Sequence, residues 1–244
     1  MAIDQMDPMA QFEAERRKER ERSTQPPFFF ALKDGQKANI RFLLNYSDAP
    51  ACTFGYHELY DASKKEYTVN AVCAAIFGKE CVHCGQAKAT GTWKLKAQKH
   101  VYLPIFVHAV KELRDGQWVY ATYKEDDVEK QVRGLRMLDM KFTSSTILDA
   151  LALAYADSSD DLRERTILSH DFVISRNGSG LDTKYTVSQS TRAPLALPSD
   201  LRLTYTADWV KSEVALHRPY AAVGEEDGRE LGDPESESSL PDDF

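Results

Sequence analysis

The stretch CAAIFGKECVHCG, residues 73–85, holds three of the four cysteines of this 244-residue chain within twelve positions. Cys81 and Cys84 form a C-x-x-C pair, a spacing that can aim two thiolates at one tetrahedral ion, and Cys73 lies seven intervening residues upstream. The chain has neither the basic start and apolar run of a signal peptide nor any apolar run of about 18 residues. We therefore expect a soluble, cytoplasmic protein whose thiols stay reduced, where clustered cysteines more often bind metal than form disulfides.

Three thiolates need a fourth ligand to complete a tetrahedral site. His57 lies on a predicted strand, FGYHELY, whose hairpin partner EYTVNAVC ends at Cys73, so the pattern His-x15-Cys-x7-Cys-x2-Cys is expected. Cys52 and His83 are the alternatives for the fourth position. Four protein ligands leave no open coordination position, so we expect a structural Zn²⁺ ion. The other interpretation is a set of unrelated buried cysteines.

Short runs of alternating apolar residues, separated by turn sequences, predict strands through much of the chain. Lys37–Leu44 alternates in this way and leaves one polar face, which is basic because it carries Lys37 and Arg41. Pro104 suggests that its strand lies at a sheet edge or begins there. Three hairpins are predicted around the turns DASKK, RDGQ and NGSG, within residues 54–73, 100–123 and 171–190.

Two helices are expected among these strands. TSSTILDALALAYA, residues 143–156, has apolar residues at helical spacing, with Ser144 or Ser145 as the N-cap. A short closing helix is expected around Trp209. Short strands in hairpins with inserted helices predict a mainly β, α+β fold, built as a small barrel or a partly open sheet.

The charge of −7 is distributed unevenly along the chain. Residues 224–244 hold nine acidic residues and one basic residue, so this tail carries −8 and residues 1–223 carry +1. Between Cys81 and Lys111 there is no Asp or Glu. These shifts predict a charged helical arm at 1–26, a core at 27–222 with a zinc subdomain around 52–90, and a disordered acidic tail at 223–244.

Aromatic residues lie among the lysines of this basic zone. Aromatic faces stack on bases while ammonium groups neutralise phosphates, which favours binding of a single strand without reading its sequence. The alternative is that half of the aromatic residues belong to the core and the lysines only solvate the surface. No phosphate-cradling loop, nucleophile elbow or carboxylate cluster is evident, so we expect a binding protein and not an enzyme. The candidate residues in this zone are Lys94, Lys96, Lys99, Tyr102, Phe106, Trp118 and Tyr120.

Several segments in order carry a resemblance: GQKANIRFLLN, the His-Cys-Cys-x-x-Cys set, WKLKAQKHVYLPIFV, the aromatic hairpin, DFVISRNGSGLDTKYTV and the acidic C-terminus. Over roughly residues 27–190 and the tail, the chain resembles the zinc-containing single-stranded DNA-binding proteins of tailed bacteriophages. The resemblance implies an OB-type fold with a zinc subdomain, a basic aromatic cleft for single-stranded DNA, and residence in the cytoplasm of an infected bacterial cell. The implied zinc ligands are His57, Cys73, Cys81 and Cys84.

The resemblance also implies DNA contacts, and the chemistry of the residues suggests others. The implied contacts are Arg41, Lys94, Lys96, Lys99, Tyr102, Arg176 and Tyr185. The predicted DNA-binding set further includes Lys37, Phe106, Trp118, Tyr120 and Lys184.

The two ends of the chain predict protein contacts. RERST, Arg20–Thr24, is similar to the family's arm motif for cooperative self-association along DNA. Asp242, Asp243 and Phe244 resemble the acidic, Phe-ending tips of bacterial single-stranded DNA-binding proteins, which implies a hook for replication or recombination proteins. The tail could also compete with DNA for the basic groove of its own chain, or it could only solubilise the protein.

These observations predict a single-stranded DNA-binding protein of phage DNA replication, recombination and repair. The alternative is a zinc-ribbon adaptor or transcription-associated protein whose basic zone meets a protein partner or duplex DNA. Competition between single-stranded and double-stranded oligonucleotides separates the two functions.

Overall fold

The computed structural model describes residues 27–61, 66–91, 96–125, 128–143, 145–178, 183–201 and 205–218. The predicted arm at 1–26 and the whole predicted tail at 223–244 lie outside these ranges, as does residue 94. The described residues fall into two units. Unit 1 lies within residues 1–52 and 101–210, and unit 2 lies within residues 53–100 and 211–244.

The described part of the chain is mainly antiparallel β-sheet with a few helices. The strands are β1 (Lys37–Phe42), β2 (Thr53–Asp61), β3 (Glu66–Val72), β4 (Gln98–Arg114), β5 (Gln117–Tyr120), β6 (Thr122–Glu125), β7 (Val128–Gln131), β8 (Gly134–Lys141), β9 (Asp171–Asn177) and β10 (Lys184–Gln189). The α-helices are α1 (Val82–Thr90), α2 (Thr146–Asp157) and α3 (Ala207–His217), and 3₁₀ helices occupy Tyr46–Cys52 and Ala74–Phe77. Each described helix is too short or too polar to traverse a bilayer.

The sheet of unit 1 is open. Its paired strands run in the order β10, β9, β1 and β4, and both β5 and β8 also pair with β4. Among the described residues, no pairing joins β10 back to β5 or β8, so the path of hydrogen-bonded strands does not close. Of the two expected forms, a small barrel or a partly open sheet, the structure therefore shows an open antiparallel sheet and not a closed barrel.

Apolar side chains alternate along β1 and fill one face of this sheet. Ala38, Ile40 and Phe42 are at most 1% exposed, as the alternation in the sequence predicts. Phe42 meets Phe172 of β9 edge to face, with ring centroids 5.3 Å apart. Burial of this face against the core holds β1 between β9 and β4.

Pro104 occupies an unexpected position. It lies inside β4, a 17-residue strand that pairs with β1 on one side and with β5 on the other. Proline lacks only the N–H donor, and its carbonyl still accepts a hydrogen bond from the Leu43 N–H at 3.0 Å. The prediction that Pro104 marks an edge or a strand start is therefore wrong.

The helices agree with their sequence signals in two cases out of three. Ser145 is the N-cap of α2, where its hydroxyl accepts a hydrogen bond from the Leu148 N–H at 3.2 Å. The closing helix around Trp209 is α3. Helix α1 was not predicted, because VHCGQAKAT has no apolar periodicity and buries only Ala87.

Candidate metal centre and basic aromatic face

Unit 2 brings four sequence-predicted ligands together. One ligand atom from each of His57, Cys73, Cys81 and Cys84 lies within 4.8 Å of the others, and this group could hold a metal ion. His57 is completely buried, Cys73 and Cys81 are at most 5% exposed, and Cys84 is at the surface. All four cysteines of the chain are free thiols, so no disulfide competes for these sulfur atoms.

The hairpin of β2 and β3 positions two of the four ligands. In the antiparallel register His57 is opposite Ala71. Cys73 follows Ala71 by two residues, directly after the end of β3, so the pairing brings the imidazole close to this thiol. The Cys73 N–H donates to the Gly55 carbonyl at 2.9 Å, which continues the pairing beyond β3. A Cβ on Gly55 would lie 3.0 Å from the Cys73 Cβ, so the close approach requires glycine at this position.

Two short helical turns position the cysteines. Cys73 is the N-cap of the 3₁₀ helix Ala74–Phe77, which ends at Gly78 in the left-handed conformation with φ 72°. Cys81 is the N-cap of α1, and Cys84 lies in the first turn of the same helix. Thiolates at the N-caps of helical turns face the positive ends of peptide dipoles, which favours the anionic form that binds metal.

The interatomic distances agree with a tetrahedral site. With metal–sulfur bonds of about 2.3 Å and metal–nitrogen bonds of about 2.0 Å, tetrahedral ligand atoms are about 3.5–3.8 Å apart. His57 Nε2 lies 3.3 Å from Cys81 Sγ and 3.5 Å from Cys84 Sγ, and Cys73 Sγ lies 3.6 Å from Cys84 Sγ. These three of the six distances are close to the tetrahedral values, and all six are within 4.8 Å, so the group could hold a metal ion.

The thiols of this group influence one another's acidity. Burial raises the pKa of Cys81, but nearby backbone N–H groups, foremost that of Cys84, outweigh it and leave this pKa below its ordinary value. Partial burial, followed by the neighbouring sulfurs, raises the pKa of Cys84 to about 12. Burial also raises the pKa of Cys73, against hydrogen bonds with the Ala75 backbone and Cys84 that lower it. Without a cation, therefore, one ionised thiolate disfavours ionisation of the other two thiols. A divalent ion would compensate the charge of three negative sulfur atoms at once.

The two alternatives for the fourth ligand fall outside the group. Cys52 is buried at the end of a 3₁₀ helix in unit 1, where burial and the nearby Asp48 raise its pKa to about 12. His83 lies between Cys81 and Cys84 in sequence, and its ring centroid is 5.3 Å from that of His57. His57 is thus the histidine that completes the group.

A second feature lies on the exposed side of the sheet in unit 1. Residues directly opposite one another on paired strands point to the same face, and Lys37 of β1 is opposite Lys111 of β4. Lys111 is in turn opposite Tyr120 of β5, and Trp118 shares this face because it is two residues from Tyr120. Ser175 of β9 is opposite both Lys37 of β1 and Thr186 of β10, so Thr186 points to this face as well. Lys184 is two residues from Thr186 on β10 and therefore shares the face. We call Lys37, Lys111, Trp118, Tyr120 and Lys184 the basic aromatic face.

The lysines of this face contact its aromatic rings. Lys37 Nζ lies 3.4 Å from the centroid of the Trp118 ring, and Lys111 Nζ lies 4.7 Å from that of Tyr120. Trp118 and Tyr120 are each 46% exposed, so their rings are accessible to a ligand. Like charges directly opposite on paired strands repel each other, and within the described residues neither Lys37 nor Lys111 has a carboxylate ion-pair partner. This arrangement favours an anionic ligand.

Three residues of the predicted DNA-binding set are buried instead. Tyr102 is 0% exposed and Phe106 is 3% exposed, so neither offers a ring face for stacking on a base. Arg41 donates from Nε to Asp171 Oδ1 at 2.6 Å and from Nη2 to the Leu195 carbonyl at 3.1 Å. These contacts neutralise its charge inside the protein, so the structure does not support the three as surface contacts.

The remaining predicted contacts are distributed elsewhere. Arg176 and Tyr185 are opposite each other and are neighbours of Ser175 and Lys184, which point to the basic aromatic face. Arg176 and Tyr185 therefore lie on the opposite face of the sheet. There Arg176 Nη1 donates to the Leu32 carbonyl. Lys96 and Lys99 are exposed in unit 2. Lys94, Asp242, Asp243 and Phe244 lie outside the described residues.

One member of the basic aromatic face was missed. Lys111 lies at the end of the basic zone but was not among the predicted contacts. The sequence contained part of the signal for Lys111, because the turn RDGQ predicts a hairpin in which Lys111 is opposite Tyr120. Its position opposite Lys37 depends on the pairing of β1 with β4, which no local pattern indicates.

Comparisons of the chain with models of known protein families, with curated proteins and with solved structures gave no match.

Proposed function

We propose that this protein binds single-stranded DNA without sequence preference and that a structural Zn²⁺ ion holds unit 2 together. The observation that carries the proposal is the basic aromatic face, where two directly opposed lysines lie beside two half-exposed rings. The resemblance of the sequence to phage single-stranded DNA-binding proteins supports the same function. The same resemblance supports an OB-type fold and a role in phage DNA replication, recombination and repair in the host cytoplasm.

Each part of this face has a chemical task in the proposal. Lys37, Lys111 and Lys184 neutralise phosphates and release counterions, which supplies affinity that does not depend on sequence. Trp118 and Tyr120 are two residues apart on one strand, about 7 Å, and each can stack on one base. Every base has a flat aromatic face, so this stacking discriminates little among bases.

Zinc is the metal that the donor set supports best. Three thiolates and one imidazole are typical structural zinc ligands, and four of them leave no position for water or substrate. The ion would join the β2–β3 hairpin, the turn after Cys73 and the start of α1. We therefore assign it a structural role and propose no catalysis.

The ends of the chain complete the proposal from sequence alone. Asp242, Asp243 and Phe244 would recruit replication or recombination proteins through two carboxylates and one aromatic ring. The N-terminal arm would support self-association along DNA through Arg20–Thr24.

The first prediction concerns the basic aromatic face. Titration of the zinc-loaded protein with oligo-dT at low salt should quench tryptophan fluorescence, because bases stack on Trp118. Replacing both lysines, Lys37→Ala with Lys111→Ala, should weaken binding and reduce the slope of log K against log salt by about 1.4, since each phosphate contact contributes about 0.7 on a single strand.

Lys88→Ala is the matched control, because it removes one exposed positive charge in unit 2 and should leave the salt slope unchanged. The proposed function fails if oligo-dT causes no quenching, or if duplex DNA competes as well as single-stranded DNA. Preference for duplex DNA would instead favour the adaptor or transcription-associated function.

A further inference from the structure

Unit 1 also has an open pocket of about 440 Å³, which falls in the range of roughly 300–1,000 Å³ typical of small-ligand sites. Its floor and walls are mainly apolar and aromatic, with a single carboxylate. The residues that line it and enter the argument are Phe106, Leu135, Pro198, Asp200, Tyr205 and Trp209.

The walls suit a flat aromatic ligand. Tyr205 and Trp209 pack edge to face with ring centroids 4.7 Å apart, which fixes the orientation of the indole in the wall. The Arg133 guanidinium lies 5.5 Å from the centroid of the Phe106 ring and is exposed. A planar ring held among these groups would have a cation nearby for an attached phosphate.

The carboxylate of Asp200 gives the pocket a preference among nucleobases. The carboxylate of Asp200 offers only hydrogen-bond acceptors, so it favours a ligand that presents N–H donors. Cytosine, adenine and guanine carry an exocyclic amino group with two such donors. Thymine has a carbonyl oxygen in its place, and its one ring N–H lies between two carbonyl oxygens that would meet the carboxylate with like partial charge.

The pocket lies on the same side of the sheet as the basic aromatic face. Phe106 is opposite Arg41 in the pairing of β4 with β1, and Arg41 shares a face with Lys37 because they are four residues apart on β1. Phe106 and Lys111 are five residues apart on β4, about 17 Å. A single strand that lies on the basic aromatic face could therefore extend towards the pocket.

We propose that this pocket binds one amino-bearing nucleobase, supplied by the bound strand or by a free nucleotide. The inference rests on the proposed function. It adds one base-selective contact to the basic aromatic face, which does not discriminate among bases. Phe106, which is too buried to stack openly on DNA, then contributes to binding as part of the pocket floor.

The test uses tryptophan fluorescence in a zinc-loaded Trp118→Phe variant, which removes the reporter on the basic aromatic face. Titration with dCMP, dAMP or dGMP should change the remaining emission, and dTMP should bind roughly tenfold more weakly, since it lacks the amino group that donates to the Asp200 carboxylate. The change should disappear when Trp209→Phe is added. Circular dichroism of each variant checks that it is folded.

Asp200→Asn should reduce the preference for dCMP over dTMP to about twofold or less, because an amide can both donate and accept hydrogen bonds. Asp160→Asn is the control, because it removes an exposed carboxylate that does not line the pocket and should keep the preference. Comparison of oligo-dC with oligo-dT, with and without Asp200→Asn, shows whether a strand supplies the base.

Equal responses to all four nucleotides, or none at millimolar concentration, would overturn the pocket proposal. Quenching of the wild-type protein by oligo-dT in that case would leave the proposed function intact. Conversely, binding of amino-bearing mononucleotides without any binding of oligonucleotides would support the pocket as a free-nucleotide site and would reject the single-stranded DNA function.

Discussion

Gly55 shows how one missing Cβ can support a metal site. Its carbonyl accepts from the Cys73 N–H, and a Cβ at this position would lie 3.0 Å from the Cys73 Cβ and 3.1 Å from the Ala97 Cβ. Contacts that short require the strand or the Cys73 turn to shift, which would move a ligand away from the other sulfurs. The position therefore couples the packing of β2 to the geometry of the metal centre.

We predict that Gly55→Ala destabilises the protein by about 1–3 kcal/mol, the usual cost of overpacking, and lowers its affinity for Zn²⁺. Urea denaturation and competition with a chromophoric chelator measure the two effects. Gly85→Ala is the matched control, because it lies inside α1 with no atom within 4 Å of an added Cβ. This replacement should stabilise the protein by up to about 1 kcal/mol; equal destabilisation by both variants would contradict the steric argument.

His108 is a buried titratable residue in unit 1. Its Nε2 lies 3.3 Å from Asp171 Oδ1, and the same carboxylate pairs with Arg41. Burial holds the pKa of His108 below its ordinary value; the nearby Asp171 opposes this shift, while Arg41 and Arg133 reinforce it. The folded state thus binds a proton on His108 less readily than the unfolded state does.

We predict that the free energy of unfolding decreases as the pH falls through the unfolded pKa of histidine, about 6.5. Below that pH the unfolded chain takes up the proton first, so stability that is present at neutral pH is lost on acidification. His108→Gln should show a smaller decrease between pH 7.5 and 5.5 in urea denaturation. An identical pH dependence in the variant would contradict this assignment.

At the scale of the elements, the candidate metal centre takes its ligands from three parts of unit 2. His57 comes from β2, Cys73 from the end of β3, and Cys81 and Cys84 from the start of α1. Helix α1 buries only Ala87, so apolar packing contributes little to holding it. Binding of a metal ion to this group would therefore provide folding free energy that the packing of α1 does not supply.

We predict that His57→Ala and Cys81→Ser each lower the Zn²⁺ affinity by about 100-fold or more, because loss of an outer-shell partner alone costs roughly 10- to 100-fold. Chelator competition measures the affinity, and thermal unfolding with and without EDTA measures the linked stability. Cys52→Ala is the matched control, since this buried cysteine lies outside the ligand group. Retention of full affinity in Cys81→Ser would contradict the assigned ligand set.

At the scale of the whole molecule, the charge is divided along the chain. Residues 224–244 carry −8, whereas residues 1–223 carry +1 and include the three lysines of the basic aromatic face. If the proposed DNA binding is correct, an acidic segment tethered to the same chain would compete with the DNA at a high effective concentration. Salt would screen both this competition and the binding of DNA.

We predict that deletion of residues 224–244 tightens binding of oligo-dT at low salt and has a smaller effect at high salt. Fluorescence titrations of both proteins across a salt series measure the difference. A full-length variant in which the acidic residues of the tail are replaced by Asn and Gln is the control for chain length, and it should behave like the deletion. Unchanged affinity in both proteins would reject competition by the tail.

The sequence by itself determined the local elements and the ligand set. Alternation and turn residues indicated β1 and the hairpins β2–β3, β4–β5 and β9–β10, because these signals lie within one strand or one turn. The C-x-x-C spacing and the predicted hairpin favoured His57 with Cys73, Cys81 and Cys84 and left Cys52 and His83 as alternatives; the structure brings His57 to the three cysteines.

Only the tertiary structure decided which of the chemically suitable residues are exposed. Arg41 and Lys37 lie on the same polar face of β1, yet Arg41 is covered and paired with Asp171, a residue far away in sequence. Strand pairing over long separations likewise decided the opposition of Lys37 and Lys111 and the interior position of Pro104. It also decided between the two expected forms of the sheet, a small barrel and a partly open sheet. Periodicity identifies the two faces of a strand, but the partner that covers each face is set by the packing of the whole chain.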